Sequence, residues 1–196
     1  MTAPLTGFSA TFPDDVVIDS GVLYAGANKF GAFAGGLKFD PGLTYRNIDF
    51  DGKRSPVKLL DRKMTQMPKI SGTVIQLSTT NVTQIEPGAD GATGSVAILA
   101  AGGWSGASVS YAPQRAGNLL VAGDYLTDVR AIWLRGNGKF VQVFLKSALC
   151  TKYDITSQDG AEIAIAIEIE ARLDTSVTGY TNVGDAPYRI EYLDAV

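Results

Sequence analysis

Residues 161–173 read AEIAIAIEIEARL. Ile163, Ile165, Ile167 and Ile169 recur at every second position, followed in phase by Ala171 and Leu173. Glu162, Ala164, Ala166, Glu168, Glu170 and Arg172 take the alternate positions. A side-chain period of two places the first set on one face of a β-strand. A helix would spread the four isoleucines around its circumference, and β-branched side chains are stiff in helices. At about 3.3 Å per residue the run spans roughly 40 Å, whereas an ordinary strand averages about five or six residues. A strand of that length belongs to a large sheet, a barrel or a sheet shared between chains. Its second face is small and acidic and is expected to look toward water or something charged. A long solvent-facing strand of a sandwich is the plainer reading.

The rest of the chain punctuates in the same idiom. Hydrophobic content of 45% against 19% charged predicts that most of the 196 residues fold, and 22 glycines with 8 prolines predict many turns and an all-β architecture. Residues 1–20 are polar and unpatterned up to Val16, Val17 and Ile18, and are expected to form an N-terminal arm. A brief strand is expected at 21–24. AGANKFGAFAGG (25–36) is expected to be a bulged strand or loop, because Lys29 is followed by Phe30 and the spacing of a phosphate loop is missing. A turn is expected at Asp40, Pro41 and Gly42, and an alternating strand in TYRNIDFDG (44–52). KISGTVIQL (69–77) resumes strand patterning. Ser78, Thr79 and Thr80 precede NVTQIEPG, which reads as one short capped helix halted by Pro87 and Gly88. ADGATGSVAILAAGGWSG (89–106) reads as a weak strand between glycine loops, and Leu119, Leu120 and Val121 read equally as strand or helical turn. VRAIWL (129–134) and FVQVFL (140–145) form the clearest hairpin, with Trp133, Phe140 and Phe144 expected in the core. LCTKYDI (149–155) continues the sheet. Residues 174–196 read as a polar C-terminal tail with a strand in YRIEYL (188–193). One domain, 1–196, is expected.

Composition narrows the chemistry. Histidine is absent and Cys150 is the single cysteine. The chain lacks the commonest general base, the usual partner of a serine or cysteine nucleophile, and the commonest transition-metal ligand. No catalytic, cofactor-binding or metal site is expected, and Cys150 is expected to be a buried apolar residue. No 18-residue apolar run predicts a membrane-spanning helix. The first fifteen residues show neither the basic nor the apolar region of a secretory signal, so none is expected, and the formal glycosylation acceptor at Asn81 is expected to be unused.

The net charge of −3 hides a segregation. Residues 51–69 hold Lys53, Arg54, Lys58, Arg62, Lys63 and Lys69 against Asp51 and Asp61, six cations to two anions. That segment is +4, so the remainder is −7. Residues 52–68 show no clean period, are too long for a hairpin loop, and are expected to be functional or mobile. A nucleic-acid patch would interleave aromatics, which are missing here. A solvated loop, or contact with the acidic surface of another copy, remains.

DPGLTYRNIDFDGKRSPVKLLDRKMTQMPKISGTVIQL (40–77) resembles the major tail tube proteins of long-tailed bacteriophages. The shared elements are RNIDFDG (46–52), PVK (56–58), LDRK (60–63), ISGT (70–73), the segment ending EPG (86–88), GDYL (123–126), the tryptophan hairpin and ARL (171–173). The series extends, with gaps, from about residue 21 to 173. Where the family usually has a small residue after PVK, this chain has Leu59.

The resemblance implies a β-sandwich or barrel protomer with one short helix, a long inter-strand loop (52–68) and terminal arms. Six protomers would close a hexameric ring with a shared barrel, and rings would stack into a hollow tube, a fold also used by type VI secretion tubes. The loop and arms would reach the neighbouring ring. The implied partners are other copies of the chain, a tape-measure protein, tail terminator and distal tail proteins, and double-stranded DNA passing without sequence-specific binding. The implied location is the virion tail, assembled in the host cytoplasm. The inter-ring candidates are Arg54, Lys58, Leu59, Leu60, Arg62, Lys63 and Met64. Glu162, Glu168 and Glu170 are the candidate lining of the lumen, since an acidic or neutral wall would not hold DNA. Competing readings are another tail or secretion-system β-protein (tail terminator, distal tail subunit, secreted tube) and a carbohydrate-binding β-sandwich.

Overall fold

Extended backbone dominates the chain. The computed structural model describes residues 21–48, 55, 58–76, 84–87, 90–95, 107–112, 117, 119–136, 138–157, 163–173 and 186–193. Twelve strands run through these residues. They are β1 (Val22–Ala25), β2 (Asn28–Lys29), β3 (Phe33–Asp40), β4 (Leu43–Asn47), β5 (Asp61–Gln66), β6 (Lys69–Val74), β7 (Asp90–Ser95), β8 (Ala107–Ala112), β9 (Leu126–Leu134), β10 (Phe140–Thr156), β11 (Ala164–Ala171) and β12 (Arg189–Leu193). A 3-10 turn at Ala122–Asp124 precedes β9. The main sheet runs β2-β1-β9-β10-β11-β6-β3, with β12 also on β10, and β4–β5 and β7–β8 form two-stranded ribbons. Every pairing is antiparallel. The chain is mainly β, as the sequence predicts.

The isoleucine run forms the middle of this sheet. Ile165, Ile167, Ile169 and Ala171 are buried, while Ile163 and Leu173, at the ends of the same phase, are exposed. The strand is therefore eight residues long, shorter than the pattern suggests. Alternation persists past the point where neighbouring strands supply cover. Across β11, Ile165 pairs with Val74, Ile167 with Gly72 and Ile169 with Ile70 on β6. On the other side Ile169 pairs with Cys150 and Ile167 with Tyr153 on β10. Leu23, Phe30, Val129, Leu145 and Ile85 belong to the same buried cluster. A fully buried side chain such as Ile169 contributes about 1.5–3 kcal/mol through burial. The sheet curls around this core. A Cβ added at Gly21 (φ 86°) would stand 2.7 Å from Trp133 Nε1 and 3.2 Å from Leu37 Cδ1, so β3 closes toward β1 from the far end of the sheet.

The longest strand is β10, at 17 residues, not β11. The two runs 140–145 and 149–155 are one continuous strand. Its first half lies between β9 and β12, and its second half pairs with β11. β11 and β12 lie almost end to end along it: Ala171 pairs with Ala148, the Arg172 N–H donates to Ser147 O at 2.8 Å, and Arg189 pairs with Phe144. Pairing along this edge of β10 resumes at Phe144, three residues beyond Ser147.

Several expectations meet corrections. Trp133 packs against the core, but Phe140 and Phe144 alternate with Val141, Val143 and Leu145 and lie on the other face. There the Arg189 and Arg130 guanidinium carbons stand 4.4 and 5.6 Å from the Phe144 ring centre. The glycine-rich stretch 25–36 divides between the two options: Gly26 and Ala27 turn from β1 to β2, residues 30–32 are irregular, and only 33–36 belong to the bulged β3, with the register shift between Ala34 and Leu37. The turn expected at Asp40 to Gly42 is an elbow that does not reverse the chain. The Gly42 N–H donates to Asp40 Oδ1 at 2.9 Å and the chain runs straight on into β4. Residues 119–121 are irregular. Gln84 and Ile85 are helical; the start of the expected helix, the N-terminal arm, and residues 174–185 and 194–196 of the tail lie outside the described residues. No helix among the described residues is long and apolar enough to cross a membrane, and they contain no cluster of three or more potential metal ligands.

Candidate functional site

The stretch expected as a long loop is in good part a strand. β5 (Asp61–Gln66) pairs with β4 and runs through Met67 and Pro68 into β6, as β3 runs through the elbow into β4. Strands β3 and β6 pair as far as Asp40 and Lys69, the Met67 N–H donates to Gly42 O at 3.1 Å, and pairing resumes at Leu43 and Gln66. One long hairpin therefore has its base in the sheet and its outer half beyond it. At about 3.3 Å per residue, the outer half reaches roughly 15–20 Å.

That outer half is exposed on both faces. One face carries Thr44, Thr65, Arg46 and Arg62, and the Ile48 N–H donates to Leu60 O at 2.9 Å to extend it. The other carries Tyr45, Lys63, Asn47 and Asp61, with Met64 as the extra residue at the register shift. Thr44 and Thr65 hydroxyls stand 2.5 Å apart, and Asn47 Nδ2 donates to Asp61 Oδ1 at 2.8 Å. Tyr45 is 63%, Met64 52% and Leu59 90% exposed. Arg46 sits directly opposite Arg62, a like-charge pairing that weakens a ribbon left on its own. Leu59 has φ 73°, the left-handed region in which a side chain with Cβ is strained. The small residue expected there by family resemblance would fit this backbone more cheaply. Of the seven inter-ring candidates, Arg62, Lys63 and Met64 lie on β5, Lys58, Leu59 and Leu60 lead into it, and Arg54 lies outside the described residues.

The second candidate surface is the outer face of β11. Ala164, Ala166, Glu168 and Glu170 share it with Lys152 and Asp154 of β10, Lys69, Ser71 and Thr73 of β6, and Lys38 of β3. Small residues (Ala164, Ala166, Ser71, Thr73) alternate there with long charged ones, and a shallow depression of about 430 Å³ opens over them beside the Gly35–Gly36 bulge. The charge is mixed rather than acidic. Lys69 Nζ stands 3.0 Å from Glu168 Oε1, Arg172 Nη1 2.6 Å from Glu170 Oε2 and Lys152 Nζ 2.8 Å from Asp154 Oδ2. The hydrogen bond that Lys69 donates to Glu168 holds its ammonium above its ordinary pKa, and the one that Lys152 donates to Asp154 does the same for Lys152. The sequence concealed this because the partners of Glu168 sit on strands far away in the chain. Glu162 lies outside the described residues.

No protein-family model matches the chain, and no curated protein matches it. Among the described residues of the two surfaces, no serine, threonine or cysteine side chain is hydrogen-bonded to a basic side chain. Cys150 is buried, and loss of hydration pushes its thiol up to about 11. Tyr153 donates to Glu86, which raises the phenol above its ordinary value. What the geometry offers is contact: a basic, partly apolar ribbon, and a broad face on which small residues alternate with ion-paired charges.

Proposed function

We propose that the chain is a structural subunit that assembles with copies of itself into a hollow tube of the bacteriophage tail type, rings of six stacking along one axis. The observation that carries this reading is the β4–β5 ribbon. A two-stranded ribbon exposed on both faces is at best marginally stable in water. This one also opposes two arginines and exposes Tyr45, Met64 and Leu59, a combination that calls for a covering partner. Its cations and the acidic remainder of the chain make a second copy the complementary partner. A contact that joins one end of a protomer to a different region of the next repeats without limit, as a tube requires. In this reading the outer face of β11, its carboxylates neutralised by Lys69 and Arg172, lines the lumen. Double-stranded DNA and a tape-measure protein would pass along it with little hold, and terminator and distal tail proteins would close the ends.

Electron microscopy of the purified, concentrated chain tests the proposal. Rings or tubes are expected, with the Glu168 face toward the axis. Arg62→Glu with Lys63→Glu should leave circular dichroism unchanged and abolish the tubes. A monodisperse monomer at high concentration, or tubes unaffected by the double reversal, would overturn it.

A further inference from the structure

Strand β12 has a neighbour on one edge only. It pairs with β10 from Phe140–Leu193 to Phe144–Arg189 without a register shift, and with no other strand among the described residues. An open strand edge is ordinarily guarded by a proline, a bulge or an unpaired charge. The RIEYL edge has neither proline nor bulge, and its two charges, Arg189 Nε and Glu191 Oε1, stand 3.1 Å apart. Ile190 and Tyr192 are exposed.

The place beside that edge is the one β5 would take if it kept to the sheet. β12 continues the line of β11 along β10. β6 pairs with β11 down to Lys69–Glu170, and the Ala171 N–H donates to Pro68 O at 2.9 Å. Continued past Pro68 in that register, β5 would run antiparallel beside β12. It pairs with β4 alone instead. The elbow that diverts it is firmly built. The Gly42 N–H donates to Asp40 Oδ1, the Met67 N–H donates to Gly42 O, and a Cβ on Gly42 would stand 2.0 Å from Met67 O. The ribbon is thus held off its own sheet. β4 follows β3 and β5 follows β6, so the outer edge of β5 is the one on the β11 side, and no strand among the described residues pairs with it.

The two open edges match. β12 has five residues and β5 has six, about 15–20 Å each. Antiparallel pairing would give both rows of N–H and C=O groups their partners and bring Met64 of one strand near Ile190 and Tyr192 of the other, all three exposed in the single chain.

We infer that the open edge of β12 is the seat of β5 from the ribbon of a second copy, in the place from which the chain's own β5 is bent away. The inference rests on the self-assembling reading above and names the strand that receives the ribbon. It also makes main-chain pairing, beyond charge, the source of the hold.

Two measurements on the full-length chain test it. Ile190→Lys with Tyr192→Lys puts guards on the edge at exposed positions, so circular dichroism should not change. The critical concentration for association should rise by at least about tenfold, as for the net loss of one or two hydrogen bonds. Separately, Met64→Cys protein mixed with Tyr192→Cys protein should give a cross-linked dimer with a short bis-maleimide, which neither protein alone should give. If wild type associates, the lysine variant associates equally well and no cross-link forms, the seat is overturned and the tube reading survives. A cross-link within one chain carrying both cysteines, at dilutions where wild type is monomeric, shows the ribbon closing on its own β12 and also overturns the seat. A cross-linked species that stops at two copies upholds the seat and overturns the tube. Where the two measurements disagree, the cross-link decides. Wild-type protein that never associates overturns both.

Discussion

Cys150 is the residue whose chemistry the fold changes most. Burial raises its thiol from 9.0 to about 11, so the native state holds that proton more tightly than the unfolded chain does. Its effect on stability is flat below pH 9, falls as pH rises from 9 to 11, and is flat again above. Two units correspond to about 3 kcal/mol. In reducing buffer, urea denaturation should show wild type losing about that much more than Cys150→Ala across this window; parallel slopes would contradict it. The sequence showed that this cysteine is apolar in role, since a lone thiol in a chain without histidine has little else to do. It also showed the inward isoleucines, because period two marks a face. It did not separate Ile165 from Ile163, whose pattern is identical and whose burial depends on whether a neighbouring strand extends that far. Nor could it place Phe140 and Phe144, because in FVQVFL large apolar residues occupy both phases.

At the scale of elements, the hairpin of β9 and β10 was legible from its two apolar runs and the glycines between them. The Arg135 N–H donates to Lys139 O at 2.8 Å and the Gly138 N–H to Arg135 O at 3.0 Å to close it. The length of β10 was not legible, since Lys146 and Ser147 interrupt its apolar character while its register with β9 carries on across them. β5 was missed for a different reason. DRKMTQ has no buried face, and a ribbon exposed on both sides leaves no period to read. The elbow joining ribbon and sheet depends on Gly42, with φ 56° and a site where a Cβ would stand 2.0 Å from Met67 O. Gly42→Ala should therefore cost about 2 kcal/mol or more. Hydrogen exchange should quicken first in Leu43–Asn47 and Asp61–Gln66 while the β9–β10–β11 core stays protected. Uniform exchange across the sheet, or no loss of stability, would show that the elbow is not strained by a side chain.

For the whole molecule, segregated charge sets a further expectation. If basic ribbons hold acidic neighbours together, assembly weakens as salt shortens the screening length from about 10 Å at 0.1 M to about 3 Å at 1 M. The critical concentration should climb severalfold over that range by light scattering. A fall would instead mark apolar burial by Leu59, Tyr45 and Met64 as the dominant force. A different consequence follows from β10 serving as a common rail for β9, β11 and β12. One residue added or deleted within it would turn every following side chain to the opposite face for its neighbours at once, and no single neighbour could slide to absorb the slip. The 135–139 turn and the residues between β11 and β12 in sequence stand outside that constraint. Descendants of this gene should accumulate length changes at those two places and keep the span from Phe140 to Thr156 invariant in residue count.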